Sequence, residues 1–290
     1  FEDEVAYGGW IMDDHHPLGM DTNEKPNAIY LLKSPYPIPY RCLYSNNIEN
    51  LFFAGRNISA THIAMSSTRV MATCALLGQA AGTAVALAAK YKCSPREVGQ
   101  KYIEELQQQL MDDDCYIPWK KRKVADISLK AKLTASEGDP EAVRNGYDRP
   151  CEGNDNSWST EAGGWLQYDL GKSTELDSAR IVFDSDLNRI GTGAYQGHSE
   201  KNIVSNFSLN QSDRTPPKTL VKSFELQISD DAENWQTVVN EKESYQRLIK
   251  LPFKHKTRYV KLKLNESWGA EKCKVFSFEV GAAASPNYEL

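Results

Sequence analysis

Two carboxylates and two imidazoles adjoin near the N-terminus, in the segment Trp10-Ile-Met-Asp-Asp-His-His-Pro. An imidazole can relay a proton near neutral pH, and an indole can flank a sugar ring. We therefore take Trp10, Asp13 and His15 as candidate substrate-binding residues and His16 as a candidate acid or base. A zinc or iron site is a rival interpretation, although adjacent histidines on an extended segment point to opposite faces. A polar surface turn is an equally good interpretation.

A second candidate site follows a short apolar run. Leu51-Phe-Phe-Ala predicts a buried parallel strand that ends at Gly55, where a ligand can approach the backbone closely. A helix is predicted from about Thr68 to Lys90, with Ser67 or Thr68 as its N-cap, and its first N–H groups would favour partial negative charge. An ordinary βα unit explains the glycines and alanines of this stretch. It does not explain the polar side chains beside them, which are Arg56, His62, Ser66, Ser67, Thr68 and Arg69.

The helix that would carry this second site has the length of a membrane span. Val70–Ala89 lacks charged residues, but Ala, Gly and Thr dominate it and Gln79 lies in its middle. This composition predicts a buried core helix rather than a membrane span. Gly78 and Gly82 would then let a neighbouring element pack closely.

A further helix is predicted over Cys93–Leu110. Ser94 is its N-cap, Pro95 occupies the first helical position, and Glu97 completes a capping box. The charged stretch Asp112–Val124 follows and is the natural boundary between two domains.

The stretch from Asn50 to Gly82, in which Ala-Gly-Arg precedes Ser-Ala-Thr-His, resembles a segment of bacterial FAD-dependent oxidoreductases. In that family the segment contacts the flavin, within an architecture of two dinucleotide-binding domains. The resemblance spans roughly residues 1–117. It implies that Gly55 and Arg56 contact the ribityl–pyrophosphate part of FAD. It also implies that Arg69, Val70 and Met71 lie at the pyrimidine ring of the flavin.

The same resemblance covers the Gly-Gly-Trp-x-x-Asp-x-His part of the N-terminal segment. It implies a wall that faces the substrate, with His16 at the position of the family's histidine and His62 converging on it. The catalytic candidates are therefore His16, His62 and Arg69.

The chain departs from that family in one respect. The G-x-G-x-x-G turn that holds the pyrophosphate is absent, and Gly191-x-Gly193 lies in a loop with no helix predicted after it. We therefore expect FAD to be a cofactor of a complete protein, to which a missing N-terminal half or a partner chain supplies the turn. The start at Phe1 without a methionine fits a cut inside a longer protein. This chain alone would bind FAD weakly or not at all and would be inactive.

From Ala125 onward the hydrophobic pattern changes to a period of two, which predicts an all-β sandwich or jelly roll. Gly171 is predicted to turn the chain after the first alternating run. The predicted strands are Trp165–Leu170, Ala179–Phe183, Ser223–Ser229, Tyr259–Leu264 and Val275–Val280.

Motifs within this region, among them Asn145-Gly-Tyr-Asp, Gly164-Trp-Leu-Gln-Tyr-Asp-Leu-Gly and Leu226-Gln-Ile-Ser-Asp-Asp, resemble the discoidin-like, coagulation-factor C-type family. This family of galactose-binding jelly rolls matches residues 126–281. The resemblance implies that Trp158 and Trp165 belong to the core and that Trp235 packs beside a turn.

The same resemblance implies two kinds of site in the sandwich. Ligands would bind at loops on one end, where Arg189, Tyr195 and His198 are the candidates. A structural calcium would be held by Asn145 and Asp148 with Glu279 nearby. A turn in which Asn and Asp bond to their own backbone explains Asn145 and Asp148 equally well.

Composition bounds the remaining possibilities. The 290 residues suit two domains, which we place at residues 1–120 and 121–290. The net charge of −5 argues against a nucleic-acid partner. The six cysteines form no C-x-x-C pair and no zinc-like spacing.

The predicted fold is an α+β remnant of an FAD-binding α/β domain, with two long helices and short strands, followed by a galactose-binding-like β-sandwich. The predicted function is FAD-dependent oxidation of a carbohydrate or related alcohol, with an accessory sugar-binding domain and a periplasmic or secreted location. A non-catalytic carbohydrate-binding or interdomain packing module is the alternative.

Overall fold

The computed structural model describes residues 1–186 and 216–281 of the chain. The chain forms two compact units, which we call the N-terminal unit, Phe1–Arg122, and the C-terminal unit, Lys123–Leu290. The loop candidates of the sandwich that lie outside the described residues are Arg189, Tyr195 and His198.

Short strands and four α-helices make up the N-terminal unit as described. The strands are β1 Glu4–Gly8, β2 Met12–His15, β3 Asn27–Tyr30 and β4 Tyr36–Pro39. The helices are α1 His62–Thr68, α2 Met71–Tyr91, α3 Pro95–Lys101 and α4 Ile103–Asp112. Strand β1 pairs antiparallel with β4, and β2 forms a separate antiparallel pair with β3. The N-terminal unit is therefore of the predicted α+β class.

Helix α2 lies at the centre of the core of this unit. Its buried side chains include Leu77, Ala84 and Leu87, and they form one cluster with Val5 of β1 and Leu106 of α4. Each leucine buried in this way stabilises the fold by about 1.5–3 kcal/mol. By length and composition alone α2 could also cross a membrane, a test that the core helix of a soluble protein passes equally.

The predicted close packing at Gly78 and Gly82 is wrong for the described structure. A Cβ added at either glycine would meet no atom within 4 Å, and both residues are exposed. The reason is that the core lies on the face of α2 that carries Leu77, Ala80 and Ala84.

The predicted parallel strand at residues 51–54 is also wrong. Within the described residues this segment makes one antiparallel bridge, between Tyr44 and Phe52, and it is half-buried. The Ser45 N–H donates to the Leu51 carbonyl at 2.9 Å, and the Phe53 N–H donates to the Leu43 carbonyl at 2.7 Å. Because the chain doubles back within a few residues, only antiparallel pairing is within reach, since parallel pairing needs a long crossover.

The predicted helix beginning at Thr68 is interrupted, so its start is wrong. Thr68 ends α1, and Val70 is extended (φ −73°, ψ 149°) before α2 begins at Met71. The Ser66 hydroxyl donates to the Ile63 carbonyl at 2.7 Å, and that of Thr68 donates to the Ala64 carbonyl at 3.2 Å. Such hydroxyl bonds compete with the helical ladder, which favours a break here.

The second predicted helix is likewise divided, into α3 and α4. Tyr102 separates them with a non-helical backbone (φ −130°, ψ 17°), and its ring stacks on Tyr91 at 4.0 Å between centroids. The predicted start is confirmed, because Ser94 and Glu97 form a reciprocal capping box and Pro95 is the first helical residue.

The described residues of the C-terminal unit form an antiparallel β structure with one short α-helix, α5 Asp126–Lys130. All five segments predicted as strands are β-strand, although Trp165–Leu170 and Ala179–Phe183 belong to one continuous strand rather than to two. Its strands are β5 Lys132–Ala135, β6 Trp158–Glu161, β7 Trp165–Phe183, β8 Val221–Ser229, β9 Gln236–Glu241, β10 Leu248–Ser267 and β11 Lys272–Gly281.

Two long strands, β7 and β10, turn this sheet into a sandwich. Residues 259–263 of β10 pair with residues 165–169 of β7, in the layer that also holds β5, β8 and β9. Residues 248–252 of β10 pair with residues 178–182 of β7, in the layer that holds β6 and β11. The register shifts between these two sets, and such bulges bend strands.

The predicted turn at Gly171 is therefore wrong, since β7 continues through it. Gly171 has φ +77° and its N–H bonds to the Asp169 carboxylate at 2.8 Å. It lies at the bend of the strand, where glycine tolerates a positive φ. Leu166 and Leu262 from one layer and Ile181 and Phe278 from the other then share a single core. The predicted jelly-roll sandwich is confirmed.

We expect Leu262→Ala to lower the free energy of unfolding of the C-terminal unit by about 2–5 kcal/mol, because this fully buried side chain would leave a cavity. The matched control is Leu129→Ala, whose side chain is 48% exposed and should cost at most about 0.5 kcal/mol. Urea unfolding followed by tryptophan fluorescence measures both. Equal losses in the two variants would contradict the placement of Leu262 in the core.

Candidate functional site

Strands β2 and β3 form a hairpin that positions the acidic and imidazole side chains. Asp13 lies opposite Ile29, and His15 lies opposite Asn27. Because side chains alternate along a strand, Asp13 and His15 share one face and Asp14 points to the other.

On the first face, Asp13 collects three partners. Its Oδ2 lies 3.0 Å from His15 Nε2 and 3.3 Å from Arg69 Nη2, and its Oδ1 accepts a hydrogen bond from Asn27 Nδ2 at 2.8 Å. Arg69 Nη2 also lies 3.1 Å from His15 Nε2 and donates to the Asp13 carbonyl at 3.2 Å. His15 Nε2 thus faces an acceptor and a donor at once, so its proton decides which of them it binds.

The Asp13 carboxylate is held in its ionised form. The hydrogen bond from Asn27, followed by that of His15, lowers the pKa of Asp13 below its ordinary value. The anion therefore persists to lower pH than for an isolated aspartate.

On the second face, Asp14 meets a histidine from the first turn of α1. His62 Nε2 lies 3.1 Å from Asp14 Oδ1 and 2.9 Å from the His15 carbonyl oxygen. Both neighbours can only accept, so Nε2 carries a proton and a neutral His62 has its lone pair on Nδ1. The His15 carbonyl accepts this proton, whereas Asp14 Oδ1 lies within ion-pair distance but has no hydrogen-bond partner among the described residues.

His16 lies apart from this pair. Its Nε2 is 3.4 Å from Glu24 Oε2, and its Nδ1 accepts the Leu18 N–H at 3.2 Å. The described residues show no contact between the imidazoles of His16 and His62, so the expected convergence is not found. The reason is the pleat of β2, which directs the His62 contacts to Asp14 and to the backbone of His15.

Trp10 is tied to α1 through its backbone, and its side chain is free to meet a ligand. The Ser67 hydroxyl donates to the Trp10 carbonyl at 2.6 Å, and Ser67 accepts the Tyr36 hydroxyl at 2.6 Å. The Ser67 residue is buried, whereas 51% of Trp10 is exposed.

The predicted flavin-contacting residues lie around the start of α2. Gly55 has φ +69°, a conformation that favours glycine, and its missing Cβ would lie 3.8 Å from Cys74. Arg56 is exposed, and Met71 is 89% exposed. No side chain caps the first turn of α2 and no acidic residue lies in it.

The expected placement of Arg69 and Val70 in the first helical turn is corrected by the break before α2. Arg69 is the C-cap of α1, with its N–H bonded to the Met65 carbonyl, and Val70 is the N-cap of α2. Met71 is the first helical residue, and the Cys74 N–H is already bonded to the Val70 carbonyl. The N–H groups available to a flavin therefore begin at Met71.

This wall fits one side of FAD. An uncapped helix N-terminus favours the phosphates and the electron-rich pyrimidine edge. The groups that would contact FAD are Gly55, Arg56, Arg69, Val70 and Met71.

The predicted calcium ligands do not fit a calcium ion. Asp148 Oδ2 binds Arg180 Nη2 at 2.7 Å, and Glu279 Oε1 lies 3.9 Å from Arg180 Nη1. Asn145 Oδ1 accepts the Tyr147 N–H at 2.8 Å, as in an Asx turn. The described residues contain no group of three His, Cys, Asp or Glu side chains that could hold a metal. A guanidinium lies between the two carboxylates instead.

The tryptophans of the sandwich play structural roles. Trp158 is buried and donates to the Glu137 carbonyl at 2.8 Å, as expected for a core residue. The expected core position of Trp165 is wrong, because the alternation of β7 directs Leu166 to the core and Trp165 to the outer face. Trp165 and Trp235 are half-buried there, and Lys261 Nζ lies 5.2 Å and 3.5 Å from their ring centroids. This ammonium covers the ring surfaces that a sugar would stack on.

An open cleft of about 560 Å³ lies elsewhere in the C-terminal unit. Lys274 Nζ binds Asp155 Oδ1 at 2.5 Å and lies 5.4 Å from the Phe276 ring centroid. The side chains that give the cleft its chemistry are Glu152, Asp155, Asp184, Asp186, Lys274 and Phe276.

Sequence reasoning missed several residues of the N-terminal site. Asn27 and Tyr36 lie far along the chain from the residues they contact, so no local motif marks them. Asp14 was part of the motif but was assigned no role. The alternation of side chains along β2 could have shown that Asp14 faces away from Asp13 and needs a partner on the opposite face, where His62 lies.

We expect Asn27→Ala to raise the pKa of Asp13, because the Asn27 amide is the largest cause of its depression. Carbon-detected NMR titration of the aspartate carboxyls measures the change. Asn47→Ala removes an exposed amide from a different turn and should leave Asp13 unchanged. An unchanged Asp13 pKa in Asn27→Ala would contradict the hydrogen bond across the hairpin.

Comparison with known proteins gives separate results for the two units. Residues 1–110 match the family described as FAD dependent oxidoreductase. None of the curated proteins compared with the chain matches it.

Solved structures with some similarity to the chain include several sugar-binding modules. CpGH89CBM32-5 from Clostridium perfringens, in complex with GalNAc-β-1,3-galactose, is 17% identical with a TM-score of 0.36, over 52% of this chain and 95% of that one. The family 32 CBM of NanJ from C. perfringens, in complex with galactose, is 10% identical with a TM-score of 0.37, over 54% and 97%. The lectin domain of lectinolysin, complexed with Lewis B antigen, is 17% identical with a TM-score of 0.38, over 58% and 100%.

The strand order and the two-layer core define the fold of the C-terminal unit independently of these neighbours. Residues 1–110 thus match the model of the FAD dependent oxidoreductase family, and in this chain they are followed by an antiparallel two-layer β-sandwich.

Proposed function

We propose that the N-terminal unit forms the substrate-side wall of an FAD-dependent oxidoreductase site that oxidises an alcohol group of a carbohydrate. One observation carries the proposal. Arg69 contacts Asp13 and His15 through its guanidinium, while its backbone adjoins Val70, the N-cap of α2. The substrate-binding side chains Asp13 and His15 and the predicted flavin-contacting helix start are thereby joined through one residue.

Oxidation of an alcohol removes a hydride from carbon and a proton from oxygen. FAD, when bound, supplies the hydride acceptor. The proton needs a base within hydrogen-bond reach of the hydroxyl, and the lone pair on Nδ1 of His62 is suited to it. The His15 carbonyl holds the proton on Nε2, and the nearby Asp14 carboxylate would stabilise the imidazolium that forms.

The other side chains of the site bind and orient. Arg69 keeps Asp13 and His15 in place, so that the face of β2 presents donors and acceptors to sugar hydroxyls. Trp10 offers an exposed indole that can flank a sugar ring. His16, paired with Glu24, is further from this chemistry than its motif suggests.

The cofactor would be held by two parts of a larger flavoprotein. We propose that Gly55, Arg56 and Met71 contact FAD from this side, and that another segment or a partner chain supplies the dinucleotide-binding turn absent here. A location outside the cytoplasm is part of the proposal, and cell fractionation tests it.

We expect His62→Gln in the complete flavoprotein to slow anaerobic flavin reduction by carbohydrate substrates by roughly 10²–10⁴-fold, because the variant lacks the proton acceptor. Stopped-flow measurement of the bleaching of the visible flavin band follows the reaction. Bound FAD should remain stoichiometric.

The matched control for this prediction is His255→Gln, which replaces a histidine of the sandwich that packs edge-on against Phe253. It should reduce its flavin at the wild-type rate. A wild-type rate in His62→Gln would exclude His62 as the base. Failure of every carbohydrate tested to reduce the wild-type flavin would refute the proposed substrate class.

We also propose that the C-terminal unit binds carbohydrate, and the cleft beside Lys274 favours this function. Carboxylates and an ammonium around a partly apolar floor can pair with sugar hydroxyls. The outer-face tryptophans are covered by Lys261, so the cleft is the better binding surface.

We expect a glycan array to identify ligands of the wild-type chain, and Lys274→Met to weaken their binding by about 10- to 100-fold through loss of a charged donor. Lys272→Met changes an exposed lysine on the same strand and should bind as the wild type does. A wild-type chain that binds no glycan, or equal affinities in the two variants, would contradict the assignment of the cleft.

A further inference from the structure

Arg180 is buried, although it lies on the face of its sandwich layer that points away from the core. It lies on β7 directly opposite Glu279 of β11. The alternation of β7 places its neighbours Ile181 and Ala179 in the core cluster and Arg180 on the other face. That face is nevertheless covered, since Arg180 and Glu279 are 9% and 4% exposed.

Segments on either side of this strand pair supply the cover and its hydrogen bonds. The Ala125 N–H donates to Glu279 Oε2 at 3.1 Å, just before α5. The Ser277 hydroxyl donates to Glu279 Oε1 at 3.0 Å and lies 3.4 Å from Arg180 Nη1. Asp148, from the loop after residue 144, binds Arg180 Nη2 at 2.7 Å.

A second guanidinium holds the same loop. Arg247 donates to the Asp148 carbonyl oxygen through Nη2 and to the Phe183 carbonyl oxygen at 2.8 Å through Nη1. The Asn145 amide donates to Asn156 Oδ1 at 2.9 Å, so the two ends of the loop are also joined to each other. All three side chains expected to bind calcium therefore have protein partners.

We propose that Arg180, assisted by Arg247, does in this sandwich what a bound calcium ion would do. A divalent ion would neutralise Asp148 and Glu279 and tie the loop to the strands. Here the Arg180 guanidinium lies between the same two carboxylates, and the Arg247 guanidinium ties the backbone of the loop to that of the strand end, so both roles are filled without an ion. The fixed planar fork of arginine also binds carboxylate and carbonyl oxygens in defined directions, as metal coordination does.

The proposal has two consequences that differ from those of a calcium site. The thermal stability of the C-terminal unit is independent of calcium, because Arg180 already occupies the space between the carboxylates. It depends strongly on Arg180, because removing one partner of a buried ion pair leaves an uncompensated charge.

The experiment compares thermal unfolding of the wild-type chain and two arginine variants by circular dichroism. Arg180→Gln should lower the Tm of the C-terminal unit by on the order of 10 °C. Arg258→Gln is the matched control, because Arg258 binds Asp169 bidentately but is 39% exposed, and it should shift the Tm by at most about 2 °C. Equal shifts in the two variants would overturn the proposal.

The calcium arm uses the wild-type chain in EDTA and in about 10 mM calcium chloride, above the dissociation constants of weak extracellular calcium modules. The Tm in EDTA and the Tm in calcium chloride should be equal within error. The same equality is expected for Asp148→Asn. A calcium-dependent rise in the wild type that Asp148→Asn lacks would overturn the proposal. Calorimetric titration of the wild-type chain with calcium gives a test that needs no variant to fold. Calcium binding that EDTA abolishes would count against the proposal.

Discussion

The contacts of Arg69 are the interaction on which the candidate site of the N-terminal unit depends. Its guanidinium holds Asp13 and His15 of the β2–β3 hairpin, and its backbone ends α1 immediately before α2. The hairpin itself is highly exposed, with Leu18, Met20 and Leu31 all facing solvent. One cation therefore fixes the geometry of side chains that hydrophobic packing does not hold. Arg69 lies in the break between α1 and α2. The break is therefore compatible with the site, because the residue at it holds the hairpin side chains.

Ion pairs have different roles in the two units. The pairs around Asp13 and Asp14 are partly exposed, contribute little to stability, and leave the histidines accessible to a substrate. The pair of Arg180 with Asp148 is buried, so removal of either partner would leave an uncompensated buried charge, and the pair is inaccessible to ligand. The same residue types thus support chemistry in one unit and architecture in the other. Burial, rather than composition, makes the difference.

Sequence predicts the parts of this fold that repeat a local rule. The period-two strands of the sandwich and the capping box of Ser94 and Glu97 follow from neighbouring residues, and the structure contains them. The break at Val70 was missed because hydroxyl groups inside α1 bond back to the helix, a choice that propensity does not encode. The Asn27 contact depends on the register of a hairpin, and Arg180 reaches Asp148 across the sandwich surface. Such contacts between distant segments have no signature in spacing.

The central claim is that the start of α2 and the Gly55 turn form one wall of a flavin site. Hydrogen–deuterium exchange of the complete flavoprotein, with and without FAD, tests it most directly. We predict that FAD slows exchange at residues 55–57 and 71–73, where backbone N–H groups face the cofactor, and leaves the sandwich strands unchanged. Tight FAD binding with no protection at either segment would contradict the account.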